Sequence, residues 1–198
     1  LFTGSGTAGF NFSGAISGTA AINGITKSGS STLTLSGVNT YAGVTNINGG
    51  TLRIGNAAAL GSQTGATDGT TIASGATLDL AGIATGVSAE RLTASGAGVG
   101  GNGAIISSAA IANPFIGVRY LTLTGDTTLG FTNRWDVGSA TAANNGFVGG
   151  GFTLNLIGSG AGQASLNFLG ETNLGDININ LGSAATAIAY LQGTTTLG

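Results

Sequence analysis

The 198-residue chain contains no histidine and no cysteine. Their absence excludes Ser-His-Asp and Cys-His catalysis, and also metal sites that depend on imidazole or thiolate ligands. A disulfide framework is excluded as well, which suits a chain exported through a narrow pore, although many cytosolic proteins also lack cysteine. The composition therefore removes several classes of enzyme before any pattern is considered.

Charged residues are scarce too, at 6% of the chain against about 25% in an ordinary soluble domain. Five basic and seven acidic residues give a net charge of −2, which offers no electrostatic hold on nucleic acid or anionic lipid. No apolar run reaches the roughly 18 residues that a membrane helix requires. We expect no nucleic-acid partner and no membrane insertion by this segment.

Glycine, in contrast, is abundant. The chain has 39 glycines, its hydrophobic residues make up 41%, and its mean hydropathy is +0.38. Disordered chains are poor in hydrophobic residues and rich in charge, so disorder is not expected. Collagen is excluded because glycine has no three-residue period and there is one proline. This composition predicts short strands separated by glycine turns.

Residues 29–61 show the strand pattern most clearly. Thr32–Leu35 alternates polar and apolar residues, the two-residue period of a strand with one buried face. Residues 44–47 are a second short strand, and residues 51–54 alternate again, after turns that contain glycine and asparagine. Three short strands in succession predict a chain that keeps turning in one direction.

Similar strand-sized pieces recur along the chain, and dense glycine and β-branched residues leave no convincing amphipathic helix. We predict an all-β solenoid with turns of about 20–25 residues, each burying its apolar face against its neighbours. A β-sandwich is the alternative. Because the chain starts at Leu1 without a signal peptide, residues 1–198 are expected to be one solenoid segment of a longer chain. Loops are expected near residues 62–69, 108–120 and 138–151.

Stacked turns align like residues, so inward leucine, isoleucine, valine and phenylalanine are expected to form ladders along the axis. Asparagines at the corners are expected to stack their amides in the same way, as in other parallel β arrays. The asparagines concerned are Asn39, Asn46, Asn48, Asn56, Asn178 and Asn180.

A longer pattern joins these strands, made up of Asn39, Tyr41, Gly43, Gly49-Gly50 and Gly55-Asn56. With these residues at this spacing, residues 33–61 resemble the passenger-associated repeat (autotransporter-associated β-strand repeat) of bacterial autotransporters and related giant secreted proteins. The resemblance implies a right-handed parallel β-helix that is exported and displayed outside a bacterial cell. Family members usually continue into an outer-membrane barrel or a sorting tail, and neither is visible in this sequence.

No catalytic, cofactor-binding or metal-binding residue is predicted. Asp126 and Asp136 with Arg134 come nearest to a catalytic cluster, and a solvated turn with a surface ion pair is the favoured interpretation. The glycines around Asn102 are interpreted as turn residues, because neither a phosphate loop's lysine nor a calcium repeat's recurring aspartate accompanies them. The acidic residues are spread through the chain: Asp68, Asp79, Glu90, Asp126, Asp136, Glu171 and Asp176.

Two surface-binding alternatives stay open. Four aromatic side chains, Trp135, Tyr41, Tyr120 and Tyr190, have the chemistry to stack on sugar rings, although packing within the turns is favoured. Thr-x-Thr pairs on a flat solenoid can bind ice, but these pairs lie too far apart in the chain to be expected on consecutive turns. The pairs are Thr32/Thr34, Thr122/Thr124 and Thr194/Thr196.

Together these observations predict a non-enzymatic, extracellular structural or adhesive β-solenoid on the bacterial surface, either a stalk or a fibre-forming subunit of a filament. A β-helical carbohydrate-active or glycan-binding protein is the alternative, and an ice-binding solenoid the minor one. No cofactor is expected. The expected partners are further copies, meeting end to end or laterally at exposed strand edges, or the rest of a longer chain. Surface glycans are a further candidate.

Overall fold

The computed structural model describes residues 1–63, 68–83, 87, 89–111, 117–138, 146–158, 163–168, 173–182, 188–193 and 196–197. Their regular structure is β-strand, apart from a three-residue 3-10 turn at Val99–Gly101. No helix among these residues is long and apolar enough to cross a membrane. The strands are β1 (Phe2–Thr3), β2 (Phe10–Phe12), β3 (Ile25–Ser28), β4 (Thr32–Leu35), β5 (Thr45–Ile47), β6 (Gly50–Ile54), β7 (Thr70–Ile72), β8 (Ala76–Asp79), β9 (Arg91–Gly96), β10 (Ile105–Ile106), β11 (Tyr120–Phe131), β12 (Trp135–Gly138), β13 (Gly146–Val148), β14 (Leu154–Gly158), β15 (Gln163–Phe168), β16 (Asn173–Leu174), β17 (Ile177–Asn180), β18 (Ile188–Gly193) and β19 (Thr196–Leu197).

Each strand pairs in parallel with the strand that holds the same position in a neighbouring turn. Sheet A contains β1, β3, β5, β7, β9, the first half of β11, and β13. Sheet B contains β2, β4, β6, β8, β10, the second half of β11, β14 and β17. Sheet C contains β12, β15 and β18, and β16 pairs with β19. Parallel pairing between successive turns makes the fold a β-solenoid.

Strand β11 belongs to two sheets because it bends at the corner between them. Its first half pairs with β9, its second half pairs with β10 and β14, and the register shifts between Leu123 and Thr127. Thr127 Oγ1 donates to the carbonyl oxygen of Gly125 at 2.8 Å within the bend. One continuous, bent strand therefore serves both sheets.

The core of sheet B is a column of aliphatic side chains, one from each turn. Fully burying such a side chain contributes about 2–3 kcal/mol. At the two ends of the column Phe10 and Ile179 are exposed, so each turn depends on its neighbours for burial. The buried members, each no more than 2% exposed, are Leu33, Leu52, Leu78, Ile105, Leu129 and Leu156.

The length of a turn varies along the axis. Ile25 lies beside Thr45, so this turn takes about 20 residues, whereas Arg91 lies beside Tyr120, about 29 residues later. The extra residues are accommodated at the corners, as in the excursion that carries Val99–Gly101 between β9 and β10. Strand positions are thus preserved while the connections differ.

The predicted all-β parallel solenoid is confirmed. The β-sandwich is excluded because successive strands stack in parallel on neighbouring turns instead of forming two antiparallel sheets. Strand β4 has the predicted bounds, Thr32–Leu35.

Two of the predicted loops contain strand residues. Gly146–Val148 is a strand inside the predicted loop 138–151, because Phe147 is buried beside Leu121 in the core of sheet A. Tyr120, placed at the end of the predicted loop 108–120, is the first residue of β11. The remaining parts of the three predicted loops include residues 64–67, 112–116 and 139–145, which lie outside the described residues.

Candidate functional site

The predicted acidic candidate, Asp136 with Arg134, is an ion pair at the start of β12 whose carboxylate is buried. Asp136 is 2% exposed in β12, and its two carboxylate oxygens lie 3.2 and 3.4 Å from Arg134 Nε and Nη2. Burial raises the pKa of this carboxyl, and Arg134 partly offsets that rise. Asp126 is exposed and instead accepts a hydrogen bond from the Thr153 backbone at 2.9 Å. The expected ion pair is therefore present, but its carboxylate is buried instead of solvated.

A second buried carboxylate, Asp79, joins successive turns of sheet B. It accepts Arg53 Nε at 2.8 Å and the backbone N–H groups of Ala81 and Ser108 at 2.9 Å each. All of these partners are structural, so the arrangement holds a corner together and offers no free acid–base pair. Among the described residues no group of three acidic, histidine or cysteine side chains is placed to hold a metal ion.

A polar cluster lies in the interior beneath sheet A. Thr45 and Thr70 are register partners; Tyr41 Oη lies 2.6 Å from Thr45 Oγ1, and Thr70 Oγ1 donates to Glu90 Oε1 at 2.6 Å. Glu90 is fully buried, and its Oε2 has no hydrogen-bond partner among the described residues. Burial raises the pKa of Glu90 to about 8. The hydrogen bond from Thr70 lowers this pKa, and the nearby charge of Asp68 raises it further. The carboxyl is therefore protonated at neutral pH.

Lys27 is a buried cation on the inward side of β3. Its ammonium donates to the backbone carbonyls of Ser28, Gly29 and Gly49 at 2.9, 2.8 and 2.9 Å. Burial lowers the pKa of this ammonium. Because Gly49 belongs to the following turn, Lys27 ties two turns together from the inside.

Asn39 links three turns with one amide. Its Oδ1 accepts the backbone N–H of Ile16 at 2.8 Å, and its Nδ2 donates to the carbonyl of Ala59 at 2.6 Å. The predicted stacking of corner amides is thus wrong for this residue, whose partners are backbone groups. It does occur at Asn178, which donates to Asn155 Oδ1 at 2.9 Å on the outer surface of sheet B.

Most of the predicted aromatic candidates pack inside. Trp135 and Tyr41 are buried; Trp135 stacks on Phe131 with ring centroids 4.6 Å apart, and its Nε1 donates to the Gly130 carbonyl at 3.0 Å. Tyr120 is the exception, half-buried on the outer surface of sheet A. The side chain of Tyr190 lies outside the described residues.

The glycines around Asn102 form a turn, as predicted. Gly100 and Gly101 have φ of 63° and 76°, the left-handed region that favours glycine. The turn covers sheet B, where the backbone N–H of Val99 donates to Thr77 Oγ1 at 2.8 Å. Its polar groups therefore serve the fold.

A row of polar side chains runs along the outer surface of sheet A. Thr71, Thr93 and Thr122 are register partners on consecutive turns, and Thr93 Oγ1 donates to Thr71 Oγ1 at 3.2 Å. Thr26 and Asn46 continue the row on the two preceding turns. The Thr-x-Thr pairs named in the sequence analysis do not themselves stack: Thr32 and Thr34 lie beside Thr51 and Arg53 in sheet B, whereas Thr122 lies in sheet A.

A groove of about 400 Å³ lies next to this row. The guanidinium of Arg91 lies 5.1 Å from the centroid of the Tyr120 ring, one turn further on. A Cβ at Gly146 would collide with that ring, so the ring lies across the glycine of the following turn. Val44 and Gly69 extend the groove over the preceding turns.

Sequence reasoning missed the buried Lys27 and Glu90, although a signal for each was present. Lys27 lies two residues after the buried Ile25, and Glu90 lies two residues before the buried Leu92. In a two-residue period these charged residues therefore point to the interior, whereas their charge alone suggests the surface.

Comparisons with known proteins agree with this fold. Residues 25–54 match the model of the passenger-associated-transport-repeat. The chain is 33% identical over 196 residues to the "Adhesin BmaC autotransporter" of Brucella suis biovar 1 (strain 1330), an alignment that covers 90% of this chain and 6% of the relative. No solved structure gives a significant match. The resemblance seen in the sequence is confirmed, and the chain spans a small part of the length of its relative.

Proposed function

We propose that this autotransporter passenger-repeat protein works as a stiff, non-enzymatic rod on the bacterial surface that carries or forms an adhesive surface. The relative described above is itself named an adhesin autotransporter. The proposal for this chain rests on that likeness and on the construction of the solenoid.

The observation that carries the proposal is the unbroken column inside sheet B. From Leu33 to Leu156 every turn contributes a buried aliphatic side chain, and the strands outside it are joined by parallel hydrogen bonds. Stacked turns of this kind contact mainly their neighbours, so the fold extends in one dimension. A rod of this type holds whatever it bears away from the cell envelope.

Surface display tests the proposal. The chain, carrying an N-terminal tag, is displayed on bacteria through an outer-membrane anchor, and tag height and attachment to matrix-coated glass are measured. Because the strands of sheet B are spaced by ~4.8 Å, the chain is expected to hold the tag roughly 35 Å further from the cell surface. It is also expected to raise attachment. Leu52→Asp, which places a charge in the column, is the matched control and should lose both effects. No outward movement and no gain in attachment by the intact chain would contradict the proposal.

Self-association is the second part of the proposal. Strands β1 and β2 are the edge strands of sheets A and B at the N-terminal end of the solenoid, and Phe10 on β2 is 59% exposed. An apolar side chain on an unpaired edge favours pairing with another copy. The chain is expected to form filaments in sedimentation and electron microscopy, and Phe10→Lys should return it to monomer. Ile22→Lys, at a residue 92% exposed but outside any strand, is the control. Monodisperse monomer at high concentration would refute this part.

The absence of catalysis is likewise proposed. Four carboxyl groups among the described residues are buried. Asp79 and Asp136 are occupied by structural partners, Glu90 lies in the interior, and Asp68 also has an interaction partner. Incubation with a panel of polysaccharides is expected to give no cleavage products. Turnover that disappears in Asp136→Asn but persists in the control Asp126→Asn would overturn the proposal.

A further inference from the structure

We propose that the groove on the outer surface of sheet A binds a linear polysaccharide that carries carboxylates and no sulfates, such as a chain in which uronic acid alternates with neutral sugars. This inference goes beyond the mechanical role and does not depend on it. It is carried by the shape, the chemistry and the charge of the groove.

The shape of the groove fits an extended ligand. It crosses successive strands of sheet A, from Val44 past Gly69 and Tyr120 to Gly146. Two glycines keep its floor low: a Cβ at Gly69 would lie 2.6 Å from the Arg91 carbonyl, and one at Gly146 would meet the Tyr120 ring. A groove that runs along the solenoid axis suits a chain of sugars better than a single terminal sugar.

The half-buried ring of Tyr120 is the apolar surface in the groove. Arg91 on one side and Gly146 on the other fix its position between neighbouring turns. Aromatic rings present a large apolar face with little conformational entropy to lose, and the C–H face of a sugar packs against such a ring.

Hydroxyl groups line the edge of the same groove. Thr71, Thr93 and Thr122 repeat at the strand spacing of ~4.8 Å; Thr93 donates to Thr71 and can still accept, and a threonine hydroxyl can both donate and accept. Sugar hydroxyls have the same mixed donor and acceptor character. The row therefore offers equivalent contacts to successive units of a polymer.

Charge selects the class of polysaccharide. Arg91 is exposed and makes no ion pair with any described residue, and none of the described residues that line the groove is acidic. A guanidinium binds a carboxylate through two parallel hydrogen bonds. One cation on a chain of net charge −2 favours sparse carboxylates over a densely sulfated polymer.

The experiment is calorimetric titration of the 198-residue chain at physiological salt with three probes: hyaluronan oligosaccharides, neutral chitin oligosaccharides and heparin oligosaccharides. We expect saturable binding of the first and at least about tenfold weaker binding of the other two. Tyr120→Ala should abolish binding, and Arg91→Gln should weaken binding of hyaluronan about tenfold while leaving the weak binding of chitin unchanged.

A threonine pair provides the matched control. Thr93→Val removes a hydroxyl from the row, whereas Thr34→Val removes one from the outer surface of sheet B, away from the groove. Only Thr93→Val should weaken binding, and circular dichroism of every variant should match that of the parent chain. Equal binding of all three probes, insensitivity to Arg91→Gln and Tyr120→Ala, or no saturable binding would overturn the proposal. Self-association that Arg91→Gln abolishes, without binding of any probe, would instead assign the groove to a second copy and would equally overturn it.

Discussion

The interiors beneath the two main sheets are built differently. Beneath sheet B, one position in every turn is aliphatic, as in Leu52 and Leu78. Beneath sheet A, Lys27, Thr45 and Thr70 are buried among the aliphatic residues of equivalent strands. A solenoid thus tolerates buried polar groups where neighbouring turns supply their partners.

The difference suggests a division of roles. An aliphatic column supplies free energy, but a strand that slips by two residues still presents apolar side chains to it. Lys27 reaches the Gly49 carbonyl, and Asn39 its two backbone partners, in one register alone. We therefore interpret the apolar column as the source of stability and the buried polar groups as the determinants of register, a known use of such groups.

The largest expected effect is the pH dependence introduced by Glu90. Its pKa is about 8 in the folded chain against an ordinary value of 4.5. Between these values the unfolded chain releases the proton while the folded chain keeps it, so stability is greatest below pH 4.5 and falls as pH rises through 8. The total change is on the order of 5 kcal/mol. Urea unfolding across this range measures it.

The control for Glu90 is Glu90→Gln, which keeps the shape and the acceptor for Thr70 but does not titrate. Because burial also raises the pKa of Asp136, both proteins should lose some stability as pH rises, and the difference between them isolates Glu90. Parallel stability curves for the two proteins would show that Glu90 is not the buried titrating group.

Truncating the aliphatic column should have the next largest effect. Leu78→Ala removes buried methyl groups and leaves a cavity, at a cost of about 3 kcal/mol in the free energy of unfolding. Thr34→Ala, in the adjacent outer row, should change it by less than about 0.5 kcal/mol. Equal losses in urea titration would mean that the column does not dominate stability.

Asn39→Ala is expected to cost about 2 kcal/mol, because a backbone N–H at Ile16 and a carbonyl at Ala59 lose their partner. Asn48→Ala, at an exposed asparagine, is the matched control and should be nearly neutral. Similar values for the two variants would contradict the assignment of Asn39 as a link between turns.

The smallest effect is expected on the outer surface. Asn178→Ala removes the hydrogen bond to Asn155, and because both residues lie on the outer surface of sheet B, with Asn178 exposed, the loss should be about 0.5 kcal/mol or less. A thermal-unfolding shift as large as that of Asn39→Ala would show that outer amide ladders contribute to stability as much as the interior does.

The interior of sheet B could be predicted from the sequence, and that of sheet A in part. Polar and apolar residues alternate clearly in Thr32–Leu35, and similar residues recur at nearly equal spacing within residues 25–54. Strand Gly146–Val148 was missed because glycines surround the one buried residue, Phe147.

The polar contacts required information that alternation does not contain. The Gly49 partner of Lys27 and the partners of Asn39 depend on which residues lie one turn away, and this distance varies from about 19 to about 31 residues. The groove at Arg91 and Tyr120 was hidden for the same reason: its two side chains are 29 positions apart in the chain but neighbours in register.

The role of buried polar groups is tested most directly by cross-linking register partners. The chain has no native cysteine, so the pair Thr26→Cys with Asn46→Cys reports the observed register and Thr26→Cys with Asn48→Cys reports a two-residue slip. Each pair is made with and without Lys27→Met, and the cross-linked fraction after mild oxidation is measured by mass spectrometry. We predict that the first pair alone cross-links when Lys27 is present and that both do so in Lys27→Met. Cross-linking of the first pair alone in both backgrounds would contradict the claim that Lys27 sets the register.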